Sequence, residues 1–213
     1  MIFYRPTDGD VQVSRVQWRP RTCFLMAAMA GPLPTEVVRA KRRIVSGLRR
    51  RGFDVVDAAG ATTGKDYLLK IWSLAISCPI GIAIVHEGMR PDTMANIYYE
   101  LGWMQAYGRE TVVVRVGDVR LPSDLVRTEY IDLDGDFNRR FKAFLRSLAE
   151  RADYYLVLAD QLEKNPLLAI DYLRRTYLLT GDKFLKRRAQ QVFKDAGLAS
   201  RAPDSVERLM AVF

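Results

Sequence analysis

The run Ile80-Gly-Ile-Ala-Ile-Val85 constrains this chain more than any other stretch. It is apolar throughout, too short for an ordinary helix, and bounded by Pro79 on one side and by polar residues from His86 on the other. Such a run suits a strand covered on both faces, as strands are inside a parallel sheet. Thr22–Met29, Phe53–Asp57 and Thr111–Val116 read the same way, and Glu129–Leu133 offers a fifth strand. Between them lie segments with helical spacing. Thr35, as N-cap with Glu36 behind it, opens a helix through Val37, Val38, Ile44, Val45 and Leu48 that Gly52 closes. Tyr67–Ser77 ends at Pro79, and Thr93–Tyr107 ends at Gly108.

Strand alternating with helix predicts right-handed βαβ units and a parallel sheet with helices on both faces. The expected fold is therefore α/β, Rossmann-like or flavodoxin-like. After Phe137 the strand signals stop. Phe137–Ala152 reads as the last helix on the sheet, followed by helices at Tyr154–Glu163, Leu167–Leu179, Lys183–Ala196 and Pro203–Ala211. Asn165-Pro166, Gly181-Asp182 and Gly197 separate the later pieces. The expected organisation is an N-terminal arm over 1–21 with at most one short edge strand, an α/β domain over 22–152, and an all-helical extension over 153–213.

The chain of 213 residues carries 33 Lys and Arg against 25 Asp and Glu, a net charge of +8. That excess favours an anionic ligand without choosing among nucleotide, nucleic acid and membrane surface. Cys23 and Cys78 sit in or beside strand runs and read as free buried thiols of a reducing compartment. No stretch approaches the roughly 20 apolar residues a bilayer requires, so no membrane span and a cytoplasmic location are expected. One histidine and two separated cysteines do not make a zinc set, and neither metal nor resident cofactor is expected.

Ligands of such sheets bind beyond the carboxyl ends of the strands, which directs attention to Met29–Pro34, Asp57–Lys65, His86–Asn96 and the region after Val116. The segment from His86 to Trp103 is the densest in polar and unusual residues. Asp92 or Thr93 is placed to cap the helix. Asn96 and Glu100 stand four apart on one helix face. Glu100 lies among Tyr98, Tyr99 and Trp103, and a carboxylate in an aromatic wall is costly unless it is paired or meets a ligand. Such a wall raises its pKa and offers rings for stacking on a base.

Tyr-Tyr-Glu100-Leu-Gly102, with Asn96 before it and Gly108 and a strand after it, resembles the Glu-Leu-Gly motif of nucleoside 2-deoxyribosyltransferases. It is also similar to the TIR-like nucleotide-binding proteins of bacteria, which carry an Asn-x-x-x-Glu-Leu-Gly form. Met29-Ala30-Gly31-Pro32 is similar to the transferases' Leu-Ala-Gly-Pro loop, Arg50–Val55 to their helix-to-strand turn, and Asp92-Thr93 to their Asp-x-Gly-Thr segment. The likeness spans about residues 22–131. It implies that Glu100 is the catalytic carboxylate of an N-glycosidic cleavage. It further implies that Ala30, Gly31 and Pro32 shape a base or phosphate loop, and that His86, Asp92, Asn96, Tyr99 and Trp103 bind substrate. His86-Glu87 stands where the transferases carry an aspartate, and the Asn96 form leans towards the TIR-like group. NAD is then the leading substrate, ahead of a nucleoside, and a non-catalytic nucleotide sensor is the rival. Members of the group act in antiphage defence as oligomers, which implies homo-oligomerisation through the helical extension.

Other features carry plainer readings. Ala59–Asp66 resembles a phosphate-binding loop but lacks the Ser or Thr that would hold magnesium. Arg39, Arg42, Arg43, Arg49 and Arg50 fall on the helix side away from the valines. A solvated face is favoured there over a nucleic-acid surface. Trp72, Trp103 and Tyr107 read as core or pocket wall.

Overall fold

The computed structural model describes residues 9, 16–28, 32–58, 67–123, 129–162 and 164–197. Along these run β1 (Thr22–Met26), α1 (Thr35–Arg49), β2 (Asp54–Val56), α2 (Tyr67–Ser77), β3 (Ile80–His86), α3 (Pro91–Ala106), β4 (Glu110–Val116), β5 (Tyr130–Asp132), α4 (Phe137–Gln161), α5 (Pro166–Thr180) and α6 (Phe184–Asp195). The sheet order is β2-β1-β3-β4-β5 and every pair is parallel. This is the doubly wound, flavodoxin-like arrangement, whose winding reverses between β1 and β3.

The chain divides into two compact units, Thr22–Arg146 and a second made of Met1–Arg21 with Ser147–Phe213. The division falls inside α4, which continues as one helix through 152, where a break between two helices was expected. No glycine or proline interrupts Arg151-Ala-Asp-Tyr-Tyr, so nothing stops the helix there. Among the described residues of the arm there is no strand.

In the sheet unit, β3 is buried along its whole length, as its sequence requires. Gly81 leaves room for the Met104 side chain of α3, whose thioether occupies the place a Cβ would take. With Gly81 facing α3, strand alternation sends Ala83 and Val85 to the same side. There they pack with Phe24 and Met26 of β1, Ile71, Leu74 and Ala75 of α2, and Ile97, Leu101 and Met104 of α3. Ile80, Ile82 and Ile84 point to the opposite face. Phe141 of α4 packs closely on Gly47 of α1, where an added Cβ would stand 2.7 Å from its Cε1 atom.

Helix starts depart from expectation by small steps. Pro34 occupies the N-cap of α1, its carbonyl receiving the N–H groups of Val37 and Val38, so Thr35 is already helical. Pro91 is the first residue of α3 behind an Arg90 N-cap. The fixed φ of proline suits that position, and Asp92 lies in the first turn instead of capping. β3 extends to include His86, which was expected in the loop.

In the helical unit, the Asn165 side chain accepts from the Leu168 N–H at 3.3 Å to open α5, and Gly181 at φ 74° closes it. Arg21 donates its backbone N–H to Leu178 at 2.7 Å, satisfying a carbonyl of the last turn. Ile170, Leu173, Leu178, Leu185 and Ala189 form the core of this unit. Asp171 and Arg174 are buried and paired, with Arg175 joining the same carboxylate at 2.9 Å. Expectations for Ala59–Asp66 and for a closing helix over 203–211 lie outside the described residues. No helix among those described is long and apolar enough to cross a membrane.

Candidate functional site

The carboxyl edge of the sheet has a step at its reversal point. Met26, the last residue of β1, pairs with Ala83, whereas β3 and β4 stay paired as far as His86 and Val116. Three further residues raise that part of the edge by about 10 Å. α2 packs over β1, and α3 runs beside it. The seam between these helices therefore passes the end of β1.

Glu100 lies at that level. Met104 sits over Gly81, and one helical turn back towards the start of α3 is a rise of about 6 Å. Two strand residues from Gly81 give nearly the same rise, about 6.6 Å, and reach Ala83. Glu100 is thus level with the pairing of Ala83 and Met26. Its rotation about α3 is fixed as well. Ile97, Leu101 and Met104 are buried against the sheet, and Thr93, Asn96, Glu100, Trp103 and Tyr107 follow one stripe along a flank. Trp72 Nε1 of α2 donates to the Tyr107 hydroxyl at 2.9 Å, so this flank is the one beside α2.

Glu100 is half-buried, and among the described residues no group gives it a hydrogen bond or an opposite charge. Burial alone pushes its pKa from 4.5 up to about 7. On the same helix the Tyr99 and Trp103 rings pack on each other, their centroids 4.3 Å apart at an interplanar angle of 53°. Tyr99 remains 53% exposed, which leaves a ring face for a planar ligand.

The expected site residues do not all meet. Asn96 is exposed one turn from Glu100 on the same flank, and Tyr99 and Trp103 form the outer rim. Asp92 is exposed in the first turn of α3, rotated outward from the Glu100 stripe. His86 belongs to the other face. It shares the parity of Ile80, Ile82 and Ile84, so its ring leaves the sheet on the side away from α3. It is 8% exposed and its Nδ1 lies 2.8 Å from the Glu87 carbonyl. A carbonyl only accepts, so Nδ1 carries the proton. Pro32 is exposed ahead of α1, while Ala30 and Gly31 lie outside the described residues.

Two groups escaped the sequence reading. The Tyr98 hydroxyl is buried with no hydrogen-bond partner among the described residues, and burial raises its pKa. Near the end of β4, Arg115 Nε donates to Asp132 of β5 at 2.7 Å and stacks on Tyr130 at 4.2 Å from the ring centroid. Each depends on packing between elements distant in sequence, which no local motif announces. Trp72, 1% exposed, is core as expected. No three His, Cys, Asp or Glu side chains gather as a metal set among the described residues. In comparison with known proteins the chain matches no protein-family model and has no significant match among curated proteins, so the site rests on its own geometry.

Proposed function

We propose that this chain binds a nucleotide along the flank of α3 that faces α2 and cleaves its N-glycosidic bond at Glu100, with NAD as the leading substrate. One observation carries the reading: a half-buried carboxylate with pKa about 7 and no partner among the described residues, on the helix that carries the exposed Tyr99 ring, level with the sheet's reversal point. A structural role would pair that carboxylate or turn it to solvent. A carboxylate titrating near neutrality suits general acid–base chemistry.

The chemistry follows from a single acid. With Asp92 turned outward and His86 on the other face, Glu100 has no second acid or base beside it among the described residues. A neutral base needs a proton in order to leave. Nicotinamide in NAD is a pyridinium and accepts the C1′–N bonding pair without one. That difference favours NAD over a nucleoside. As the bond breaks, positive charge develops at C1′ and the ring oxygen, and ionised Glu100 stabilises it. Water then adds to C1′, losing its proton to Glu100, and the products are free nicotinamide and the ribose hydroxyl. Tyr99 and Trp103 hold the base by stacking, and Asn96 hydrogen-bonds the ribose.

The lone acid also suits a non-catalytic nucleotide sensor, which needs affinity alone. Nucleoside 2-deoxyribosyl transfer ranks behind both. Self-association through the helical unit belongs to the same proposal. Tyr154, Val157 and Leu167 are each about half exposed there and are candidates for its contact.

The test compares NAD with its reduced form on the native protein. Release of the base from NAD, with none from the reduced dinucleotide, is expected, because dihydronicotinamide is neutral. A Trp103→Ala variant should bind NAD about tenfold more weakly for the loss of one stacking partner. Equal cleavage of both dinucleotides refutes the single-acid mechanism. Saturable binding without turnover selects the sensor.

A further inference from the structure

The face of the sheet unit formed by α1 and α4 carries positive charge that nearby acids do not neutralise. Near the carboxyl edge of the sheet the cations are paired, Arg39 with Glu36, Lys41 with Asp57, and Arg140 with Asp132 and Asp134. Further along both helices the pairing ends. Arg42, Arg49, Arg50, Lys142 and Arg146 are all exposed, and among the described residues their side chains have no hydrogen bond or ion pair. Glu36 is the one acid of α1, and residues 137–146 contain none.

The two helices present these charges as neighbouring rows. Arg43 stacks on Phe137, 4.5 Å from the ring centroid, and donates to Asn138 at 3.3 Å. Four residues on, Gly47 meets Phe141. The constant offset means that α1 and α4 run side by side in the same direction. Asn138, Lys142 and Arg146 are successive turns of one stripe of α4, so its cations lie on the side of α1 that Asn138 marks. On α1, Arg42, Arg49 and Arg50 fall on the outward face at spacings of seven and eight. The helix dipole accounts for cations at the last turn of α1. It does not account for Arg42, nor for Lys142 and Arg146 in the middle of α4.

We propose that this face docks the phosphate backbone of double-stranded nucleic acid without reading its sequence. α1 is about 22 Å long, and a duplex presents one negative charge per roughly 1.7 Å of its axis, enough for all five cations. Four of the five are arginines, whose planar forks match phosphate oxygens. An anionic membrane fits less well. None of the large exposed apolar side chains lies on α1 or on residues 137–146, so nothing there would insert into lipid.

The probe is a fluorescently labelled 20-base-pair DNA duplex, with an RNA duplex of equal length in parallel, titrated with protein between 50 and 200 mM salt. Five contacts give a slope of log affinity on log salt of about −4.5, and Arg42→Gln/Arg49→Gln/Arg50→Gln brings it to about −1.8. The triple variant should bind at least tenfold more weakly at 50 mM salt. A control, Lys164→Gln/Lys183→Gln/Lys194→Gln, removes the same charge from the helical unit and should keep the native slope. Circular dichroism establishes that each variant is folded. Three outcomes overturn the proposal. One is no duplex binding at 50 mM salt, and another is an equal loss in the control. The third is retention on phosphatidylserine vesicles or polyglutamate without retention on either duplex.

Discussion

Replacing Glu100 by glutamine should stabilise the protein above neutral pH and change little in mild acid. Burial lifts the Glu100 pKa from 4.5 to about 7, and at about 1.4 kcal/mol per unit the shift comes to about 3 kcal/mol. The sign follows from proton counts. Below pH 4.5 the carboxyl is protonated whether the chain is folded or unfolded. Between pH 4.5 and 7 the folded state holds a proton that the unfolded state has released, so stability falls as pH rises. Above 7 the folded protein carries a half-buried charge, unpaired among the described residues, at full cost. Glutamine keeps the shape and removes the titration, and the cost of burying its amide does not vary with pH. Urea unfolding at pH 5, 6, 7 and 8 measures the difference. Glu100→Gln should gain on the native protein with rising pH until the gain levels off near 3 kcal/mol. Stability curves that stay parallel across this range would refute the claim that burial raises the Glu100 pKa. A stabilising substitution at a residue needed for activity is what a trade-off between stability and function predicts.

Other consequences follow from local geometry. Tyr107→Phe removes the acceptor from the buried Trp72 Nε1 and should lower unfolding free energy by about 1–3 kcal/mol in the same urea assay. Asp171→Asn leaves the buried Arg174 guanidinium without its carboxylate and should cost about 3–5 kcal/mol. Burial by itself would raise the Asp171 pKa, but Arg174 and Arg175 outweigh it and hold it below the usual value. That contribution is therefore complete above the unfolded pKa and is lost as acid takes the pH down through the depressed one, which an acid titration of native and variant will show. Gly181→Ala forces a side chain into φ 74° with Arg21 Cδ 3.0 Å from the new Cβ and should cost about 1 kcal/mol, read as a shift in urea midpoint.

The sheet was legible because its strands are short, apolar and separated by helices of ordinary length, a combination with few other solutions. The α3 stripe was legible for a similar reason, since Asn96 and Glu100 at a spacing of four share a face on any helix. His86 was not placed correctly. When both faces of a strand are apolar, alternation fixes which residues go together but not which set meets which helix. Here the fit of Met104 into the space at Gly81 decides it, and His86 falls on the far side. The continuity of α4 was missed because a domain boundary was expected where no helix breaker stands. The buried Asp171–Arg174 pair was missed because a charged i, i+3 pair usually faces water, and only packing from other segments buries it.

The most direct test of the central claim is release of free nicotinamide from NAD by the native protein and by Glu100→Gln, side by side from micromolar to several hundred micromolar protein. Release by the native chain that the variant loses, with NAD still bound by both, is the predicted result. Release that persists unchanged in Glu100→Gln would contradict it, since glutamine can neither hold negative charge beside the ribose nor take a proton from water.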